Sequence, residues 1–171
     1  MVFLDESGFC LIPMMPRTWA PRGETPILRH RMSWPKLSAI GAVAPNPHVW
    51  LSLVKGTVKS RNVIAFVCRL LRCCPRPIML FLDGLGAHWS RQTRTAFEKL
   101  SDRLTVYRFP AYAPELNPAE GLYAQLKGHL LRGYCPPDLP ALQRMIRRGV
   151  RHIRRHPNLI RAFFHKTPLS F

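Results

Sequence analysis

Acidic residues are scarce in this chain: nine Asp and Glu stand against 26 Lys and Arg in 171 residues, giving a formal net charge of +17. That imbalance suits a polyanionic partner, since basic proteins bind nucleic acid largely by releasing counterions from phosphates. No apolar run approaches the roughly 18 residues that span a bilayer, which excludes a transmembrane helix and leaves a globular chain with 47% hydrophobic residues. The start, MVFLDESGF, has neither a basic stretch nor a small-residue cleavage site, so no secretory signal is read and a cytoplasmic location is expected. The five cysteines are odd in number, and Cys10, Cys68, Cys73, Cys74 and Cys135 show no C-x-x-C pair and no zinc rhythm with the seven histidines, so they read as reduced thiols. Repeats, low-complexity tracts and linkers are also missing, which leaves one domain with one core. Charge alone does not separate an enzyme acting on nucleic acid from a basic structural protein of a ribonucleoprotein.

VFLDESGF reads as a strand, followed by a Pro-rich, turn-rich excursion with a reversal at Arg22-Gly23. KLSAIGAVA and VWLSLVKGTVK are apolar, β-branched stretches around Pro45-Asn46-Pro47, which predicts an antiparallel hairpin. Ser60 offers an N-cap to a helix with Val63, Phe66, Val67, Leu70 and Leu71 on one face, stopped by Pro75. PIMLFLDGLGAH is a buried parallel strand ending at Asp83; a short helix capped by Ser90 and a strand, LTVYRFP, follow. Three antiparallel strands followed by β-α-β give an α/β fold, a mixed five-stranded sheet flanked by helices, which is the ribonuclease H-like layout. Asn117-Pro118 starts a further helix, and Leu139 to His156 forms another, with Leu142, Met145, Ile146, Val150 and Ile153 on one face. Residues 1–135 are expected to form the catalytic domain and 136–171 a basic helical extension packed on it.

With so few acids, their positions carry information. Asp5 and Asp83 each end an apolar strand and Glu120 opens a helix, so the sheet sketched above can bring all three to one edge. Such carboxylates are costly to bury unmatched, and three of them repel by ~1–4 kcal/mol per pair at intermediate dielectric. A hard divalent cation reverses that sign, and oxygen donors select magnesium or manganese. Two such ions suit in-line displacement at a phosphodiester, with Asp5 bridging both and Asp83 and Glu120 holding one each.

FLDESGF, LDGLGAH and FPAYAPELNPAEGLYAQLK, in that order, resemble the three catalytic blocks of the mariner superfamily of DDE transposases, in its bacterial insertion-sequence branch. Pro110, Tyr112, Pro114, Leu116, Asn117, Pro118, Glu120, Leu122 and Lys127 match the third block, and TWAPRGETP resembles the segment after the first strand. The resemblance implies a ribonuclease H-like fold and DNA transposition: hydrolysis frees the element ends, and their 3′-hydroxyls attack TA-containing target DNA. It further implies catalysis by Asp5, Asp83 and Glu120 with two Mg²⁺ or Mn²⁺, and a homodimer in the active complex. Family members carry a helix-turn-helix DNA-binding region ahead of this domain, so an upstream-encoded partner region, a split gene or a truncated copy is expected. Gly84 departs from the family's usual Asn, and Tyr123 from a common Trp.

Other residues admit two readings. Glu120 three residues after Asn117 is also a capping-box spacing, and Asp83-Gly84 is also an ordinary turn. Glu6 beside Asp5 points to the opposite face. His88, Asn117 and Lys127 are candidates to support the carboxylates or touch DNA, although His88 could equally cap the next helix. Arg144, Arg147, Arg148, Arg151, Arg154 and Arg155 are expected on the DNA backbone, or else form a solvated helix face. Trp19, Trp34, Trp50 and Trp89 read as packing residues, and Glu24, Glu98, Asp102, Glu115 and Asp138 as turn or surface residues. A catalytically silent remnant that only binds DNA nonspecifically is the alternative function.

Overall fold

The computed structural model describes residues 1–12, 19–25, 27 and 35–169. Strand β1 (Val2–Cys10) is central in a five-stranded sheet with β2 (Lys36–Ala44), β3 (His48–Lys55), β4 (Ile78–Leu82) and β5 (Leu104–Arg108), ordered β3-β2-β1-β4-β5. β1, β2 and β3 pair antiparallel, whereas β4 and β5 run parallel to β1, as the sequence predicts. Pro45, Asn46 and Pro47 do join β2 to β3, and Glu24 N–H donates to Pro21 O (3.0 Å) at the expected reversal, with Gly23 at φ +88°.

Helices cover both faces. α1 (Ser60–Cys73), the short α2 (Gly86–Trp89) and α3 (Arg91–Glu98) lie on the side of Val2 and Leu4; Val63, Phe66, Val67, Leu70 and Leu71 are buried there against Ile40, Leu80 and Leu82. α4 (Ala119–Gln125), a π-helical turn (Leu126–Leu130), α5 (Leu139–Arg154) and α6 (Pro157–His165) cover the side of Phe3 and Phe9. Each fully buried Leu or Ile contributes roughly 1.5–3 kcal/mol. Ile146, Val150, Ile153, Ile160, Phe163 and Phe164 share one core with Phe3, so the C-terminal helices are built into the molecule. At the closest approach, a Cβ on Gly121 of α4 would lie 2.8 Å from the Phe163 ring of α6.

Several local expectations are corrected. The N-cap of α1 is Lys59, not Ser60: Asn62 Oδ1 accepts from Lys59 N–H (3.0 Å), and the Ser60 hydroxyl pairs instead with that of Ser90 (2.8 Å). Asp138, read as a turn or surface residue, caps α5 by accepting from Ala141 N–H (2.6 Å). α5 ends at Arg154, and a separate helix begins at Pro157, where proline suits a first turn. Trp19 is fully exposed rather than packed, whereas Trp50 packs on the α1 side and Trp89 donates to Asp83 O (2.6 Å). Trp34 lies outside the described residues, as does part of TWAPRGETP. All five cysteines are free.

Candidate functional site

The register of the parallel strands builds the site. Phe3, Phe81 and Tyr107 are paired neighbours across β1, β4 and β5, and their rings stack at 4.8 and 5.2 Å. The β1–β4 ladder itself ends at Phe3↔Phe81, and its register extended by two residues brings Asp5 level with Asp83. Asp5 is therefore not at a strand end as expected: β1 continues to Cys10, while β4 stops at Leu82 and exposes the edge of β1 there. The first turn of α4 brings Glu120 over this edge, its N–H donating to Asn117 O (3.1 Å). Asp5, Asp83 and Glu120 line one cavity of about 430 Å³ with Gly84, Arg108, Tyr112 and Asn117.

Asp5 is buried, and Glu6 N–H donates to its Oδ1 (2.8 Å). Burial, reinforced by the negative charges of Glu120, Glu6 and Asp83, pushes its carboxyl up to about 7 in spite of that donor. On the backbone side, Tyr123 Oη donates to Asp5 O (2.7 Å) and approaches Ala39 O (3.3 Å). Gly41 makes this possible, because a Cβ there would lie 2.8 Å from that hydroxyl. Burial, then the charges of Asp5 and Glu6, hold the Tyr123 phenol well above its usual range, so it remains a donor.

Asp83 is fixed by the turn that follows it: Leu85 N–H donates to Oδ1 (2.9 Å) and Trp89 Nε1 to the carbonyl (2.6 Å). His88 is buried, with Nδ1 2.8 Å from Asp83 Oδ1 and Nε2 donating to Glu6 Oε1 at 2.7 Å. The Nδ1 contact is off the line of a hydrogen bond and acts through charge. Burial alone would lower the imidazole, but Asp83 and Glu6 outweigh it and push His88 up to about 9; the close contact with His88 in turn holds Asp83 low. His88 thus supports Asp83 and does not cap α3, whose cap is Ser90, accepting from Thr93 N–H (3.1 Å). Among the described residues, Glu6, Asp83 and His88 are the one group of three ligand-type side chains within 4.8 Å, and Asp5 and Glu120 stand apart from it. That group is already neutralised in part by the imidazolium.

Asn117 is buried at the cavity wall, where Oδ1 accepts from Ala119 N–H (3.1 Å). Lys127 is not brought into the cavity: Nζ donates to Ser7 Oγ (2.6 Å) and lies 5.3 Å from the Phe9 ring centroid. Of the six α5-end arginines, Arg144, Arg147, Arg148, Arg151 and Arg155 line two adjoining shallow grooves. Arg154 is turned aside, donating from Nε to Val49 O (2.9 Å). Sequence reading missed two participants, Glu6 as the second partner of His88 and Arg108 on the cavity wall. Arg108 was legible in principle, since a parallel β4–β5 pairing that ends at Leu82↔Arg108 puts it beside Asp83.

A sequence model of the DDE superfamily endonucleases matches residues 1–143. The chain belongs to that superfamily. No curated protein matches it by sequence. Among solved structures, this DDE-family chain resembles a mariner Mos1 paired end complex with Mg, with a TM-score of 0.77, 20% identity, and coverage of 98% of this chain and 52% of that one. The corresponding complex with Mn gives 0.69 at 18% identity, covering 99% and 56%. The catalytic domain of Mos1 mariner transposase gives 0.60 at 17% identity, covering 99% and 83%. The fold is thereby the ribonuclease H-like one expected. The chain spans about half the length of the transposase chains in the paired end complexes.

Proposed function

We propose that this chain is the catalytic domain of a transposase of the bacterial insertion-sequence branch of the mariner superfamily, cutting DNA at element ends and joining them to TA-containing target DNA. The observation that carries this reading is the convergence of Asp5, Asp83 and Glu120, from three separate elements, on one cavity. The donor set fits hard divalent ions: three carboxylates share the cavity, and their mutual repulsion is part of what raises Asp5. Asp5, Asp83 and Glu120 would hold two Mg²⁺ or Mn²⁺, which when bound supply Lewis-acid activation for in-line displacement at phosphorus.

The remaining roles belong to the chain. Tyr123 and the Leu85–Trp89 turn hold the backbone and side chain of the two aspartates in place. His88, bridging Glu6 and Asp83, orients Asp83 and keeps it ionised. Asn117 ties off the helix start beneath Glu120. The exposed arginine grooves along α5 offer a sequence-independent seat for DNA phosphates, while Lys127 steadies β1 through Ser7. Residues 1–135 serve as the catalytic unit, and 136–171 as the basic extension that backs it. Sequence-specific recognition of ends falls to a helix-turn-helix region encoded upstream, and the working assembly is a homodimer on DNA in the bacterial cytoplasm.

The test is cleavage of an element-end duplex, its sequence read from the inverted repeats flanking the gene, in Mg²⁺ or Mn²⁺. Asp5→Asn, Asp83→Asn and Glu120→Gln are expected to abolish cutting while leaving salt-sensitive DNA binding intact. Equal cleavage by wild type and these variants overturns the assignment, and DNA binding with no cutting by any of them identifies a silent remnant.

A further inference from the structure

We propose that Arg108 is the residue that grips the phosphate of the strand entering the catalytic cavity, and that Gly84 keeps the space it needs. This deepens the function proposed above and rests on it. Arg108 is the last residue of β5, paired with Leu82, and so stands at the sheet edge where Asp83 begins its turn. Among the described residues lining the cavity of Asp5, Asp83 and Glu120, it is the one basic side chain.

Its guanidinium is held in place without being neutralised. Cζ lies 5.5 Å from the Trp89 ring centroid, and that indole is itself anchored to Asp83 O by a 2.6 Å hydrogen bond. The charge is near enough to help lower Asp83, yet among the described residues no carboxylate lies within ion-pair distance and no acceptor takes its N–H groups. A planar fork of free donors, lying over the Trp89 ring on the wall of a cavity lined by three carboxylates, matches the two unesterified oxygens of a phosphodiester. A phosphate approaching that anionic wall needs one such counter-charge.

Gly84 completes the pair. A Cβ built on it would lie 2.8 Å from Arg108 Nη2, so any side chain at position 84 competes with the guanidinium for the same place. Because the atom met is the tip of a flexible side chain, Gly84→Ala would push Arg108 aside without disturbing the fold.

The experiment measures binding of the element-end duplex with Ca²⁺ in place of Mg²⁺, for wild type, Arg108→Ala, Arg108→Lys, Gly84→Ala and the Gly84→Ala/Arg108→Ala double variant. Loss of one charge-assisted phosphate contact predicts about tenfold to a hundredfold weaker binding for Arg108→Ala, with the log–log salt slope smaller by about 1. Arg108→Lys should keep the slope and lose part of the affinity, and Gly84→Ala should weaken binding in wild type but not in the Arg108→Ala background. Wild-type affinity and slope in Arg108→Ala, or additive effects of the two substitutions, overturn this inference. If instead the wild type neither binds the duplex nor cuts it in Mg²⁺, the proposed function itself fails.

Discussion

Tyr123 Oη donates to the carbonyl oxygen of Asp5 at 2.7 Å, so the α4 helix that carries Glu120 is tied directly to the strand that carries the first aspartate. Two residues 118 positions apart in sequence share one buried bond. Tyr123→Phe should therefore lower stability by about 1 kcal/mol, measured by urea titration, because the carbonyl oxygens lose a neutral donor. Gly41→Ala should cost more, since its Cβ would fall 2.8 Å from that hydroxyl, with little backbone room to relax.

Asp5 is destabilising when ionised without a cation. Its folded value of about 7 lies above the ordinary 3.8, so the folded state holds the proton more tightly, and stability falls as pH rises from about 4 to 7. Asp5→Asn should raise stability in EDTA at pH 8 by up to roughly 4 kcal/mol, and by nothing near pH 3, while eliminating cleavage. Thermal melts across pH check this. Mg²⁺ should close much of the gap by stabilising wild type alone.

His88 works in the same pH direction for the opposite reason. Its value of about 9 exceeds the ordinary 6.5, so the stability from its contacts with Asp83 and Glu6 is complete below about 6.5 and disappears as pH rises through 9. Asp83, held low by His88, gives stability that is lost only under stronger acid. In EDTA the melting temperature should thus be highest in mildly acidic buffer, and His88→Gln should flatten its fall between pH 7 and 9. A profile unchanged by that substitution contradicts the bridge.

The α5 arginines should divide into two classes. Arg148→Ala and Arg151→Ala, in the grooves, should each reduce the salt slope of DNA binding by about 1 without changing the melting temperature. Arg154→Ala should leave the slope unchanged and lower stability by about 1 kcal/mol, because its Nε is bonded to Val49 O.

The sheet was legible because each strand had its own signature: period-two or continuous apolar runs bounded by proline and glycine. That Asp5, Asp83 and Glu120 would face one cavity was legible because a chain with so few acids placed each of them in or beside an apolar strand or at a helix start. The level at which Asp5 sits was not, since local pattern gives a strand's existence but not its register, and β1 runs on past Asp5 to pair with β2. The cap of α1 went to Lys59 because Asn62 could reach back to its N–H, leaving the Ser60 hydroxyl free for Ser90 on another helix. His88 could be noticed by its spacing from Asp83, but its second partner, Glu6, is 82 residues away and found only by folding. Trp19 looked like packing material and is bare, because aromatic character says nothing of what a neighbouring segment covers.

The contact of Phe163 with Gly121 has an evolutionary reading. A benzyl group from the final helix presses on the residue beside Glu120 with no room for a methyl between them. A premature stop codon between positions 121 and 162 would remove that contact while sparing Asp5, Asp83 and Glu120, so a shortened copy would keep an intact-looking trio. Survival of the reading frame through that phenylalanine is thus a requirement of the packing separate from survival of the three acids.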